Sequence, residues 1–226
     1  MSSNSYEPLR ITAHFRTGIV VDEWFPLDGI LYYQVMRERF GQEISTVAGG
    51  NAQSQKPDPA MPFAVIGAGT PNWYYACSWA QPRPWWIGES VVYWHKRWDE
   101  GIRGLVDFGK RKGKINIAQG EFKAYRMPMF VKHALKVHWY CVGDGTRLEY
   151  LLSTIFGIGK KRNTGNGRVT SWKIEQWPED WSVLRDGKLT RGVPFWDAPQ
   201  PANMMNYAIR PPGYMRQNRM QLARPE

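Results

Sequence analysis

An α+β fold is predicted, with its elements in the ferredoxin-like order strand, helix, strand, strand, helix, strand. Three observations predict it. Residues 9–16 and 135–142 alternate apolar and polar side chains, the period of a half-buried strand. Leu27, Ile30, Leu31 and Val35, and later Leu148, Leu151, Leu152 and Ile155, recur at helical spacing. A last strand is expected from Val169 to about Gln176, after a glycine-rich loop.

Each element has its own local reason. In residues 9–16, Leu9, Ile11, Ala13 and Phe15 face a core, while Arg10, Thr12, His14 and Arg16 face the other way. Pro26 opens the first helix at a position where the missing N–H costs little, and Gly41 stops it. The polar stretch between Gly41 and Pro62 reads as a loop. Two apolar runs, 63–66 and 73–79, are broken by Gly67, Gly69 and Pro71, as a hairpin or one interrupted strand would be. Residues 81–86 (Gln-Pro-Arg-Pro-Trp-Trp) are excluded from a central strand, because proline cannot donate to a ladder. The strand at 135–142 places Leu135, Val137, Trp139 and Cys141 inward and Lys136, His138 and Tyr140 outward. After the turn at Gly143 and Gly145, residues 146–156 form the second helix. Two helices on one face leave the other face of the sheet open, as in RNA-recognition modules, displaying Arg10, His14, Arg16, Lys136, His138 and Tyr140. Beyond Pro178 the chain reads as irregular, rich in Pro, Met and Arg, and residues 181–226 as an extended arm that orders against a partner.

Composition narrows the function. The chain has 226 residues, 12 of them Trp, and 30 Lys+Arg against 20 Asp+Glu give a formal charge of +10. That aromatic content excludes intrinsic disorder, so the charge sits on a folded body, and nucleic acid is the expected partner. No run of about 18 apolar residues exists, so no membrane span is expected, and the polar opening residues 1–8 suggest no secretory leader. Cys77 and Cys141 are too far apart for a CxxC metal site and are expected to be buried thiols of a cytoplasmic protein.

The most specific local feature is residues 157–168. Gly157, Gly159, Gly165 and Gly167 bracket Lys160, Lys161 and Arg162, with Arg168 following. Glycine lets a backbone approach a sugar-phosphate chain closely, and the cations neutralise phosphates. A dinucleotide-binding loop is excluded because this one follows a helix, and a P-loop lacks its Gly-Lys-Ser/Thr. No cofactor and no metal are expected. Residues 94–136 carry eleven cations (Lys96, Arg97, Arg103, Lys110, Arg111, Lys112, Lys114, Lys123, Arg126, Lys132 and Lys136) against four acids, a net of +7. Trp85 and Trp86, in a proline-bounded turn, are the candidates for stacking on unpaired bases.

The helix, the two Gly-x-Gly pairs, their five-residue basic gap and the closing strand resemble the glycine-rich loop of the RAMP superfamily, the ferredoxin-like RNA-binding proteins of CRISPR effector complexes. The block Leu-Arg-Ile-Thr-Ala-His-Phe from Leu9, followed by Pro-Leu-Asp-Gly-Ile-Leu-Tyr-Tyr from Pro26, is similar to the opening of the type IV Csf proteins. Within that family the likeness is to the Cas-five-type subunit that caps the 5′ handle of the guide RNA. It spans about residues 9–42 and 120–176. The resemblance implies a RAMP domain over 8–180, with a thumb inserted at about 81–133 that folds over the guide. It implies a non-catalytic subunit that nucleates assembly, and as partners crRNA, the repeated backbone subunit, the large subunit and target DNA near the PAM.

Two alternatives stay open at this stage. One is a metal-independent guide-processing endoribonuclease using His14 or His138, since such cleavage needs an acid and a base at one phosphate. The other is a stand-alone RNA-binding domain.

Overall fold

The computed structural model describes residues 6–41, 60–81, 86–105, 107, 115–199 and 203–225. Strand β1 (Glu7–Phe15) lies at the centre of a sheet. It pairs antiparallel with β6 (Lys136–Gly143) on one side and β7 (Val169–Gln176) on the other, so Ile11 lies between Trp139 and Ile174. The alternation read in the sequence holds along β1, where Leu9, Ile11, Ala13 and Phe15 are all buried. On β6, Val137, Trp139 and Cys141 face the same core, but Leu135 is exposed. It stands in the one-residue junction before β6, where its carbonyl accepts the Phe15 N–H, and so it belongs to neither strand face.

Helix α1 (Leu27–Phe40) follows Pro26, which is extended and acts as the cap one position earlier than expected. It ends at Gly41, whose φ of 58° suits glycine. Helix α2 (Gly145–Ser153) is capped by the Asp144 carboxylate, which accepts the Arg147 N–H at 3.0 Å. Leu27, Leu31 and Val35 from α1 and Leu148, Leu151 and Leu152 from α2 join the inward residues of β1 and β6 in one cluster. Ile155 packs there as well, just past the helix end.

The expected second strand is divided. Strands β2 (Val65–Ile66) and β3 (Tyr74–Tyr75) make a small hairpin around Gly67 and Gly69. Residues 76–81 then run along the outer edge of β6, with bridges Cys77↔Cys141 and Gln81↔His138, and the Ser78 N–H donates to the Tyr140 carbonyl at 2.7 Å. Across the sheet the order is thus 76–81, β6, β1, β7. Both cysteines are free and buried, and burial pushes both thiols up in pKa.

Strands β4 (Trp86–Lys96) and β5 (Tyr125–Ala134) form a long antiparallel hairpin. Its root is fixed to the segment after β1. Ile19 and Lys132 exchange both backbone hydrogen bonds at 2.8 Å, and Val20 packs with Met129 and Val131.

The C-terminal segment departs from expectation. Instead of an irregular arm, it carries the small hairpin β8 (Leu184–Arg185) and β9 (Lys188–Leu189) and a three-stranded sheet. That sheet joins β10 (Val193–Pro194), β12 (Arg219–Ala223) and β11 (Met204–Ala208), in that order. Val193, Ile209, Leu222 and Ala223 close a second core on Tyr74. Arg191 ties this basic, proline-rich stretch back to the rest of the chain. It is 1% exposed, donates to the carbonyls of Tyr75, Cys77 and Ile209, and sits 3.8 Å from the buried Asp28 carboxylate. Overall the fold is mixed α+β, built from antiparallel sheets. No helix among the described residues is long and apolar enough to cross a membrane.

Candidate nucleic-acid interface

The glycine-rich loop is tightly packed at both ends. A Gly157↔Arg168 bridge closes it, and the N–H of the buried Ile158 donates to the Gly167 carbonyl at 2.9 Å. At Gly167, with φ of 67°, a Cβ would lie 1.8 Å from the Ile158 carbonyl oxygen; at Gly159 it would lie 2.6 Å from that of Val20. Neither position has room for a side chain. Between them Arg162–Thr164 make a single 3-10 turn, directly after Lys160 and Lys161. Lys160 pairs with Asp22 at 2.8 Å, and Lys161 lies over the Trp94 ring.

This loop forms one wall of an open cleft of about 1270 Å³. Small-molecule sites typically occupy about 300–1,000 Å³, so the size suits a stretch of polymer. Arg16, Arg37, Lys160, Lys161, Arg162 and Arg168 line it, and no lining residue is acidic. Arg16, Arg37 and Arg168 have no carboxylate partner among the described residues. One-signed charge along a concave wall concentrates potential, which draws in a polyanion. Arg37, from the last turns of α1, is missed by sequence reasoning: a cation there reads as a helix-end charge, and only the packing of α1 turns it into the cleft.

The sheet face expected to be open is covered. Past β7 the chain crosses it, and Trp177 and Trp181 pack on Tyr140 with ring centres 5.6 and 5.0 Å away. Arg10 bonds Glu175 at 2.8 Å and lies 4.2 Å from the Trp177 ring. His138 is 8% exposed, with Nδ1 at 2.8 Å from the Thr12 hydroxyl. Burial first, then the charges of Arg10 and Lys136, lower its pKa to about 4. Arg10, His138 and Tyr140 therefore serve internal contacts. His14 and Lys136 stay partly exposed, and Arg16 turns into the basic cleft.

The hairpin cations are spread along β4, β5 and their connection. Arg97 and Lys123 are exposed, Lys96 donates to the Glu121 carbonyl, Arg103 pairs with Glu100 at 3.6 Å, and Arg126 covers the Tyr93 ring at 3.8 Å. Lys110, Arg111, Lys112, Lys114 and Trp85 lie outside the described residues, and of Trp86 only the backbone, at the start of β4, is described. The tryptophan that does meet the glycine loop is Trp94. Among the described residues no group of three or more His, Cys, Asp or Glu side chains is placed to hold a metal.

The chain is thus a folded α+β protein with a basic cleft, no lining residue acidic, beside a close-packed glycine loop. Residues 87–225, more than half of the chain, match the family model described as CRISPR type IV associated protein Csf3, and the chain belongs to this family. The match runs from β4 to the C-terminal sheet and takes in the glycine loop, whereas β1 and α1 precede it. No curated protein matches the sequence.

Proposed function

We propose that this chain is the Cas-five-type subunit of a type IV CRISPR effector ribonucleoprotein, a RAMP protein that binds and caps the 5′ handle of the crRNA. In this role it nucleates assembly with the repeated backbone subunit and the large subunit, close to the PAM end of target DNA. One observation carries the reading: six cations and no acid line a cleft walled by the close-packed glycine loop. The order 76–81, β6, β1, β7, with both helices packed on one face, supports a ferredoxin-like βαββαβ domain. The β4–β5 hairpin stands where such a subunit carries its thumb. A non-catalytic role is supported by His138, which is neutral, buried and engaged with Thr12, and so is poorly placed to exchange protons with a phosphate.

The test is incubation of the protein with labelled repeat RNA in the absence of metal, following both mobility and integrity. Retention of intact RNA, lost when the 5′ handle is deleted, is expected. A discrete cut within the repeat would replace this reading with the processing endoribonuclease. Retention that ignores the handle would replace it with a general RNA-binding domain.

A further inference from the structure

A smaller cleft of about 290 Å³ opens beside the basic one, between α2 and β7. The two share Ile155, Phe156, Val169 and Thr170, so the Phe156 ring stands on the divide between them. Phe156 is 76% exposed, although it directly follows core-packed Ile155. An aromatic ring held out at the meeting of two clefts is a ready stacking surface.

The clefts differ in character. The large one presents cations, whereas the small one is lined by Leu152, Trp172 and Ile174, the hydroxyls of Ser153 and Ser171, and one carboxylate, Glu149. Glu149 has no hydrogen-bond or ion-pair partner among the described residues. Phosphates suit the first surface and repel the second; a flat, uncharged base with an N–H donor on its edge suits the second. The smaller volume, at the low end for ligand sites, admits one base rather than a run. Sequence-selective RNA recognition works in this way, with an unstacked base on an aromatic ring and its edge bonded to a side chain.

Resting on the reading that the basic cleft holds the guide strand, we infer that one unpaired base turns past Phe156 into this side cleft. It stacks on the Phe156 ring and donates its exocyclic amino group to Glu149. Adenine, cytosine and guanine carry that group. Uracil offers carbonyls in its place, which leaves an acceptor facing the Glu149 carboxylate.

Fluorescence anisotropy of the full chain with fluorescein-labelled oligoadenylate, oligocytidylate and oligouridylate of about 12 nucleotides tests this. The adenylate and cytidylate bind about tenfold tighter than the uridylate. Phe156→Ala weakens those two by about tenfold without changing the slope of log affinity against log salt, because no charge is lost. Phe156→Tyr restores them, and Glu149→Ala removes the preference over uridylate. Both side chains are exposed, so thermal melting is unchanged in all variants. Equal affinity for the three oligonucleotides, or a Phe156→Ala variant that binds like the original, overturns the inference and leaves the handle reading standing. Failure of the unaltered chain to bind the oligonucleotides and repeat RNA alike overturns both.

Discussion

The Lys161 ammonium lies 2.9 Å from the centre of the Trp94 ring, joining the glycine loop to the β4–β5 hairpin. Lys161 reaches it from a left-handed backbone with φ of 57°, a conformation that disfavours side chains other than glycine by about 1–2 kcal/mol. Trp94 itself packs with Val20, Met129 and Val131, on the hairpin face that meets the segment after β1. The contact therefore joins the two elements that the proposed function assigns to the guide strand.

A double-mutant cycle on Trp94→Ala and Lys161→Ala measures that link. A partly desolvated cation–π pair contributes about 0.5–2 kcal/mol. The coupling energy from urea unfolding is expected in that range, with the double variant less destabilised than the sum of the singles. Strict additivity would mean that loop and hairpin are energetically independent.

Salt dependence separates cleft cations from structural ones. Each phosphate neutralised on a single strand contributes about 0.7 to the slope of log affinity against log salt. Arg16→Ala, Arg37→Ala and Arg168→Ala are each expected to lower the slope for repeat RNA by about that much. Arg10→Ala leaves it unchanged, because Arg10 is held by Glu175 and Trp177 on the covered face. A slope that falls for Arg10→Ala and not for Arg37→Ala would move the strand to the sheet.

These contrasts mark what is legible in the sequence. Strand alternation and glycine placement depend on neighbours a few residues away, so β1, β7 and the glycine loop are read correctly from composition and period. Whether a strand's outer face stays open depends on a segment over 30 residues further on. Trp177 and Trp181 carry no local mark that sends them over Tyr140. Arg191 is similar: a lone arginine in a polar stretch signals surface, and only the carbonyls of Tyr75, Cys77 and Ile209 make it an internal staple. Arg37 joins the cleft for the same reason, through helix packing that no window along the chain contains.

His138 gives stability a pH dependence. Its pKa is about 4 in the folded chain against about 6.5 unfolded, so between those values the unfolded chain binds the extra proton. The contribution is complete above about pH 6.5 and is lost as the pH falls through 4, to a total of about 3 kcal/mol. His138→Gln can keep a hydrogen bond to Thr12 without titrating. Unfolding free energies at pH 7 and pH 4.5 should therefore differ less in this variant than in the unaltered chain. An equal pH effect in both would assign the acid sensitivity to other groups.

Asp28 and Arg191 are both 1% exposed, yet they do not depend on each other equally. Arg191 donates to the carbonyls of Tyr75 and Cys77 on one segment and of Ile209 on another, and removing it strips those carbonyls and leaves a buried acid alone. Among the described residues neither Asp28 oxygen has a hydrogen-bond partner within 3.5 Å, and burial raises its pKa against the lowering pull of Arg191. Arg191→Met is thus expected to cost about 3–5 kcal/mol, the range for breaking a buried pair from one side. Asp28→Asn, which keeps the shape and removes the charge that burial opposes, is expected to cost less than Arg191→Met, because the Arg191 guanidinium keeps its carbonyl acceptors. Urea unfolding of the two variants decides between an arginine that works through carbonyls and one that works through its carboxylate. Should Asp28→Asn prove as damaging as Arg191→Met, the ion pair would be what folds the C-terminal sheet onto α1.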